Sequence, residues 1–195
     1  MTEINEVTGL ILAGGAGRRV GGQDKGLILW QGKPLVSHVA ARLQLQTSSL
    51  LISCNRNIEH YERLGFPTVK DQRSGFEGPL AGIEAARSMV KTRYVAVVGC
   101  DTPLLPSDLV QRLLVPLCAG TEAAPVISFA HDGQREQYLC ALIKAECLAD
   151  LSSFLQQGHR AVKHWYGQNP HISVDFSDEF DAFRNHNYLN TISRQ

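Results

Sequence analysis

Val7 to Leu12 forms a short apolar run that ends abruptly at Ala13-Gly14-Gly15-Ala16-Gly17. Runs of this length suit strands covered on both faces, so the first element is predicted to be a buried strand feeding a glycine loop. Pro34 then fits the first turn of a helix. Leu35, Val36, Val39, Ala40 and Leu43 repeat at helical spacing through about Leu45, the pattern of a crossover helix. The alternation continues with a strand from Leu50 to Ser53, a short helix around Ile58 to Leu64 and a strand at Thr68-Val69. A helix from about Leu80 to Val90, a strand from Tyr94 to Val98 and a helix from about Ser107 to Leu117 follow. The remainder is less regular, with strands predicted at Ala124 to Phe129, Tyr138 to Ile143 and Ile172 to Val174, and a helix from about Lys144 to Gln156. This order predicts an α/β fold with a mostly parallel sheet and right-handed crossovers, whose ligands bind beyond the carboxyl ends of the strands.

Composition narrows the classes. With 195 residues, 44% hydrophobic and 19% charged, the chain can bury one sizeable core and is expected to form one domain. Lysine and arginine total 19, as do aspartate and glutamate, so no overall positive field draws the protein to nucleic acid or to an anionic membrane. Any phosphate must be held locally. The five cysteines form no CxxC pair and are odd in number, which points to reduced buried thiols rather than a disulfide framework or a zinc site. The N-terminus is acidic and polar, and no apolar run approaches the roughly 18 residues that cross a bilayer, so a cytoplasmic location is expected.

The candidate chemistry begins in the loop. Residues 12–26 hold six glycines directly after the first strand, with Arg18, Arg19 and Lys25 among them. Glycine permits positive φ and close backbone approach, so several N–H groups can converge on one anion while the three cations offset its charge. Neither GxxxxGK[ST] nor a GxGxxG running straight into a helix is present. Farther along, the strand ending Val97-Val98-Gly99-Cys100 delivers Asp101 to its carboxyl tip. Magnesium takes few protein ligands and fills its octahedron with water and phosphate oxygens, so one aspartate suffices as its anchor. Ser107, nearer the following helix, is the residue expected to cap it.

Leu12-Ala13-Gly14-Gly15 with Arg18-Arg19, Gly21-Gly22, Asp24-Lys25-Gly26 and Gly32-Lys33-Pro34-Leu35 resembles the signature of the molybdenum cofactor guanylyltransferases. Asn55-Arg56, Asp71, Gly78-Pro79-Leu80-Ala81-Gly82, Cys100-Asp101-Thr102-Pro103, His131-Asp132-Gly133 and Phe183-Arg184-Asn185-His186-Asn187 extend that resemblance along almost the whole chain. The double glycine after Leu-Ala is similar to the guanylyl branch, whereas the cytidylyl branch tends to carry Leu-Ala-Ala-Gly.

The resemblance implies a single Rossmann-like nucleotidyltransferase domain whose N-terminal half binds GTP and whose C-terminal half completes a molybdopterin site. It places Leu12, Ala13, Gly14, Gly15, Lys25, Ser53, Asn55, Asp71 and Asp101 at the nucleotide, and Asp101 also at Mg2+. Ser53 stands where the family carries an asparagine. Gly78, Pro79 and Gly82, at a helix N-terminus suited to an anion, and Asn185 and Asn187, alternating along a short extended run, are implied on the pterin side. The family's Asn-Thr-Pro is Asn187-Tyr188-Leu189 here, and its methionine in the first motif is Val20. The reaction implied is attack of the molybdopterin phosphate on the α-phosphorus of GTP, with Lys25, Arg19 and Asp101 as the catalytic groups. Transient contacts with other molybdenum cofactor biosynthesis proteins and with chaperones of the acceptor molybdoenzymes are implied as well. The alternatives are another nucleotidyltransferase, using CTP or a sugar phosphate, and a catalytically silent nucleotide-binding module.

Overall fold

Alternate residues of β1 (Val7–Leu12) feed two separate cores: Val7 and Ile11 enter one, Leu10 the other. A strand that buries both faces must lie inside a sheet with helices on each side, and it does. In this computed structural model, which describes residues 3–15, 22–73, 77–118 and 124–184, β1 pairs in parallel with β4 (Ser49–Ser53) and β6 (Tyr94–Gly99). β5 (Thr68–Val69) continues in parallel beyond β4. On the other flank β8 (Glu136–Lys144) runs antiparallel to β6, β7 (Ile127–His131) antiparallel to β8, and β9 (His171–Asp175) parallel to β7. The order across the sheet is β5-β4-β1-β6-β8-β7-β9. A small antiparallel pair, β2 (Leu29–Trp30) and β3 (Lys33–Pro34), leads into the first helix.

Helices α1 (Leu35–Leu43), α2 (Ile58–Glu62) and α4 (Leu109–Leu117) bury their apolar stripes in the first core. Helices α3 (Pro79–Ala86), α5 (Leu151–Gln156) and α6 (Val162–Tyr166) bury theirs in the second. The carboxyl ends of β1, β4 and β6 therefore open on one edge of a three-layer domain. Because β8 is antiparallel, its amino-terminal half lies on that same edge.

Several boundaries differ from those the pattern predicts. The long helix from Lys144 is a 3-10 segment, Ala145–Ala149, and then α5. β7 begins at Ile127 instead of Ala124, after Pro125, which has no N–H to give a ladder. α3 ends at Ala86, where Arg87 and Met89 bond three residues back and tighten the turn. α4 starts at Leu109 with no side-chain cap bond from its own N-cap; the buried Gln46 side chain takes the Val110 N–H at 3.0 Å instead of Ser107. None of the five cysteines is in a disulfide; Cys54, Cys100 and Cys140 are buried, Cys147 is half-buried and Cys118 is exposed. Among the described residues no helix is long and apolar enough to cross a membrane.

Candidate active site

The glycine loop is held at both ends from the tip of β4. Asn55 Nδ2 donates to the Gly14 carbonyl at 3.3 Å. The Arg56 guanidinium donates to the carbonyls of Gly15 at 3.2 Å, Gly22 at 2.9 Å and Gln23 at 3.2 Å. Across a planar trans peptide the C=O of one residue and the N–H of the next point in opposite directions. Turning these carbonyls toward Asn55 and Arg56 thus turns the amides of Gly15, Gln23 and Asp24 away from those side chains. Gly22, at φ +81°, adopts the left-handed backbone that a side chain resists. Residues 16–21, with Arg19, lie outside the described residues.

Each member of Asp24-Lys25-Gly26 has its own partner. Asp24 accepts hydrogen bonds from the Tyr61 hydroxyl and from Asn57 Nδ2, which anchor the loop to α2. Lys25 Nζ reaches across β1 to donate to Asp101 Oδ2 at the tip of β6. Gly26 lies flat against Tyr61, where a Cβ would come within 2.5 Å of the hydroxyl oxygen. Burial and the bond to Asp24 both push the Tyr61 phenol well above its usual range, so it stays a neutral donor.

Asp71, just past β5, pairs with Asn55 in both directions: its Oδ2 accepts from Asn55 Nδ2 at 2.7 Å and its backbone N–H donates to Asn55 Oδ1 at 3.0 Å. Its Oδ1 is shut away from solvent with no hydrogen-bond partner among the described residues. Burial raises the carboxyl pKa, the Asn55 bond lowers it and nearby Glu84 raises it; burial is the largest effect and the net shift is upward. An unspent buried acceptor of this kind is rare in a native fold and suits a ligand donor.

Asp101 also borders a cavity of about 230 Å³ on its other side, lined by Thr102 and by Gln137, Tyr138 and Leu139 of β8. The edge thus places a glycine loop, a lysine–aspartate pair and a pocket side by side. The family model of the MobA-like NTP transferase domain matches residues 9–172. A molybdenum cofactor guanylyltransferase from Shewanella piezotolerans is 42% identical over 93% of this chain and 87% of its own length. One from Shewanella halifaxensis is 41% identical over 93% and 90%.

The chain belongs to the molybdenum cofactor guanylyltransferases.

It is therefore a nucleotidyltransferase enzyme, and its fold agrees. The structure of molybdopterin-guanine dinucleotide biosynthesis protein A from Archaeoglobus fulgidus superposes with a TM-score of 0.73 over 93% of both chains at 21% identity. For a guanylyltransferase the remaining motif residues fall as follows. Leu12 ends β1, its carbonyl accepting from the Cys100 N–H at 3.1 Å, and Ala13 donates to the Ser53 carbonyl at 2.8 Å. Ser53 is fully buried beneath α3: a Cβ on Gly82 would meet its Oγ at 2.5 Å and Leu12 Cδ2 at 3.0 Å. Gly78 is the N-cap of α3 and Pro79 its first residue, so this motif stands over the β1–β4 part of the sheet. Asn185 and Asn187 lie outside the described residues. Among the described residues no three His, Cys, Asp or Glu side chains cluster to hold a metal. Asp101 alone, an oxygen donor at the open edge, fits a hard cation such as magnesium that takes most of its ligands from water and phosphate.

The tethering role of Arg56, the Asp24–Tyr61–Asn57 anchor and the β8 pocket escape a reading of motifs. Each depends on partners far away in the chain; Arg56, Asp24, Asp101 and Thr102 lie in matched motifs, but the motifs say nothing of Tyr61, Asn57 or the β8 residues they meet.

Proposed function

We propose that this enzyme transfers GMP from GTP to the phosphate of molybdopterin, forming molybdopterin guanine dinucleotide and releasing pyrophosphate. The observation that carries the reading is the Lys25–Asp101 pair, standing between a glycine loop whose carbonyls are tied back to Asn55 and Arg56 and a pocket on the opposite side. Across the sheet the order β5-β4-β1-β6-β8 then reads as guanine, triphosphate, reacting centre and acceptor. Guanine carries two adjacent N–H donors on one edge, and Asp71 is the carboxylate assigned to accept from them.

The acceptor oxygen attacks the α-phosphorus of GTP; the new P–O bond forms as the bond to the leaving pyrophosphate breaks. A phosphate monoester is already an anionic nucleophile, so this chain supplies no general base, and catalysis rests on position and charge. The amides of Gly15, Gln23 and Asp24 hold the triphosphate in line. The ammonium of Lys25, and Arg19 six residues before it in the same loop, offset its negative charge. Asp101 would hold magnesium, which when bound neutralises charge on the phosphate oxygens. The same reading takes in a cytoplasmic setting and transient contacts with other proteins of molybdenum cofactor biosynthesis and with molybdoenzyme chaperones.

Asp101→Ala tests it. With the fold intact by circular dichroism, turnover should fall by at least about 10²-fold, the scale of losing one electrostatic stabiliser. Activity within a few-fold of wild type would remove Asp101 from the reacting centre.

A further inference from the structure

β8 leaves its neighbours where it passes Asp101. Its pairing with β6 stops at Val98 and Cys140. Its pairing with β7 jumps from Phe129–Ala141 to Ala130–Gln137, so Tyr138, Leu139 and Cys140 form a bulge. Bulges re-aim side chains beside active sites, and this one opens the pocket of about 230 Å³ against Asp101 and Thr102. The pocket is walled by held side chains. The Thr102 hydroxyl donates to the Gly99 carbonyl at 3.0 Å. The Tyr138 ring packs on Phe129 with centroids 5.0 Å apart.

Gln137 is held by a buried carboxylate. Asp132, 3% exposed, accepts the N–H groups of Gln134 at 2.9 Å and Arg135 at 2.8 Å on Oδ1, and Gln137 Nε2 on Oδ2. Burial opposes its charge, but these three donors, with the Arg135 guanidinium 3.6 Å from Oδ2, outweigh it and hold the carboxyl below the usual range. Its charge is thus kept for orienting Gln137. A carboxamide has two N–H donors and a carbonyl acceptor; one N–H is on Asp132, and among the described residues the second N–H and the carbonyl have no partner, which leaves them for a ligand. That donor–acceptor pair matches the edge of a fused heterocycle, where N–H and C=O groups alternate.

We propose that the β8 pocket seats the heterocyclic end of the acceptor, with Gln137 reading its edge and Asp132 acting as the positioning residue for Gln137. The proposal rests on the acceptor being molybdopterin, as in the function argued above. It places the acceptor on the β8 side of Asp101, opposite the Lys25 loop, which leaves room for in-line attack between the two.

Kinetics of full-length Gln137→Leu and Asp132→Asn with GTP, magnesium and molybdopterin decide it. Losing one polar contact predicts a rise in the molybdopterin KM of about 10-fold for Gln137→Leu and a smaller rise for Asp132→Asn, with the GTP KM within twofold of wild type. An unchanged molybdopterin KM in Gln137→Leu, or equal rises in both KM values, overturns the assignment. Direct molybdopterin binding, followed by pterin fluorescence, separates this from the wider reading. Wild type that turns over no nucleotide defeats the guanylyltransferase reaction. Even then, a molybdopterin Kd about 10-fold weaker in Gln137→Leu upholds the pocket, and an equal Kd overturns it.

Discussion

Gly26→Ala places one methyl group where the loop meets α2. The backbone of Gly26 lies in a 3-10 turn without positive φ, so the cost is one of contact alone. The new Cβ would stand 2.5 Å from the Tyr61 hydroxyl oxygen, 3.2 Å from Cε1 and 3.3 Å from Cζ. The first contact is short of the ~3.5 Å optimum by about 1 Å. Tyr61 has no room to yield, being fully buried and bonded to Asp24. Overpacking of this kind costs about 1–3 kcal/mol, which for a domain of this size lowers Tm by about 2–12 °C. The push passes through Asp24 to Lys25, and a displacement near 1 Å at a reacting group costs on the order of 10²-fold in rate. Thermal melts and kcat/KM measure both. Tyr61→Phe separates the contact from the glycine: alone it loses the bond to the Asp24 carboxylate, about 1.5–3 kcal/mol. In the double variant the 2.5 Å clash is gone. The double variant should therefore melt close to Tyr61→Phe alone, a coupling of about 1 kcal/mol or more. Additive losses, or a Gly26→Ala protein that melts and turns over like wild type, would mean that the Gly26–Tyr61 contact does not hold the loop.

Asp71→Asn should separate stability from binding. The raised folded pKa means that the ionised side chain costs stability once pH rises through that value and costs nothing below the ordinary carboxylate range. Melts should show the variant at or above wild type at pH 7, with the gap closing toward pH 4, while its GTP KM rises about 10-fold or more; a gap that widens toward acid would contradict the sign. Arg56→Ala frees both ends of the glycine loop. Its GTP KM should rise about 10-fold, the scale of one charge-assisted bond, with stability altered by only about 0.5 kcal/mol. A proportionate loss of Tm with unchanged KM would make Arg56 a purely structural residue.

The parallel half of the fold was legible because its strands are buried on both faces and its helices carry clean stripes, as in Val36, Val39, Ala40 and Leu43. The direction of β8 was not, since an apolar run reads alike either way along a sheet. α6 was missed although Val162, Trp165 and Tyr166 stand at helical spacing; one turn and a half is too short to stand out. In the site, Lys25 and Asp101 were legible as candidates from motif and strand tip, but their contact spans 76 residues of chain. The Gln137 pocket depends on a register shift between β7 and β8, which leaves no mark in composition or periodicity.

GMP transfer to molybdopterin is read out by pyrophosphate release from the purified protein with magnesium and molybdopterin, offering GTP, CTP and ATP in turn. Release with GTP alone, with molybdopterin guanine dinucleotide as the co-product, is the predicted result. Release with CTP, or none with any nucleotide, would contradict it.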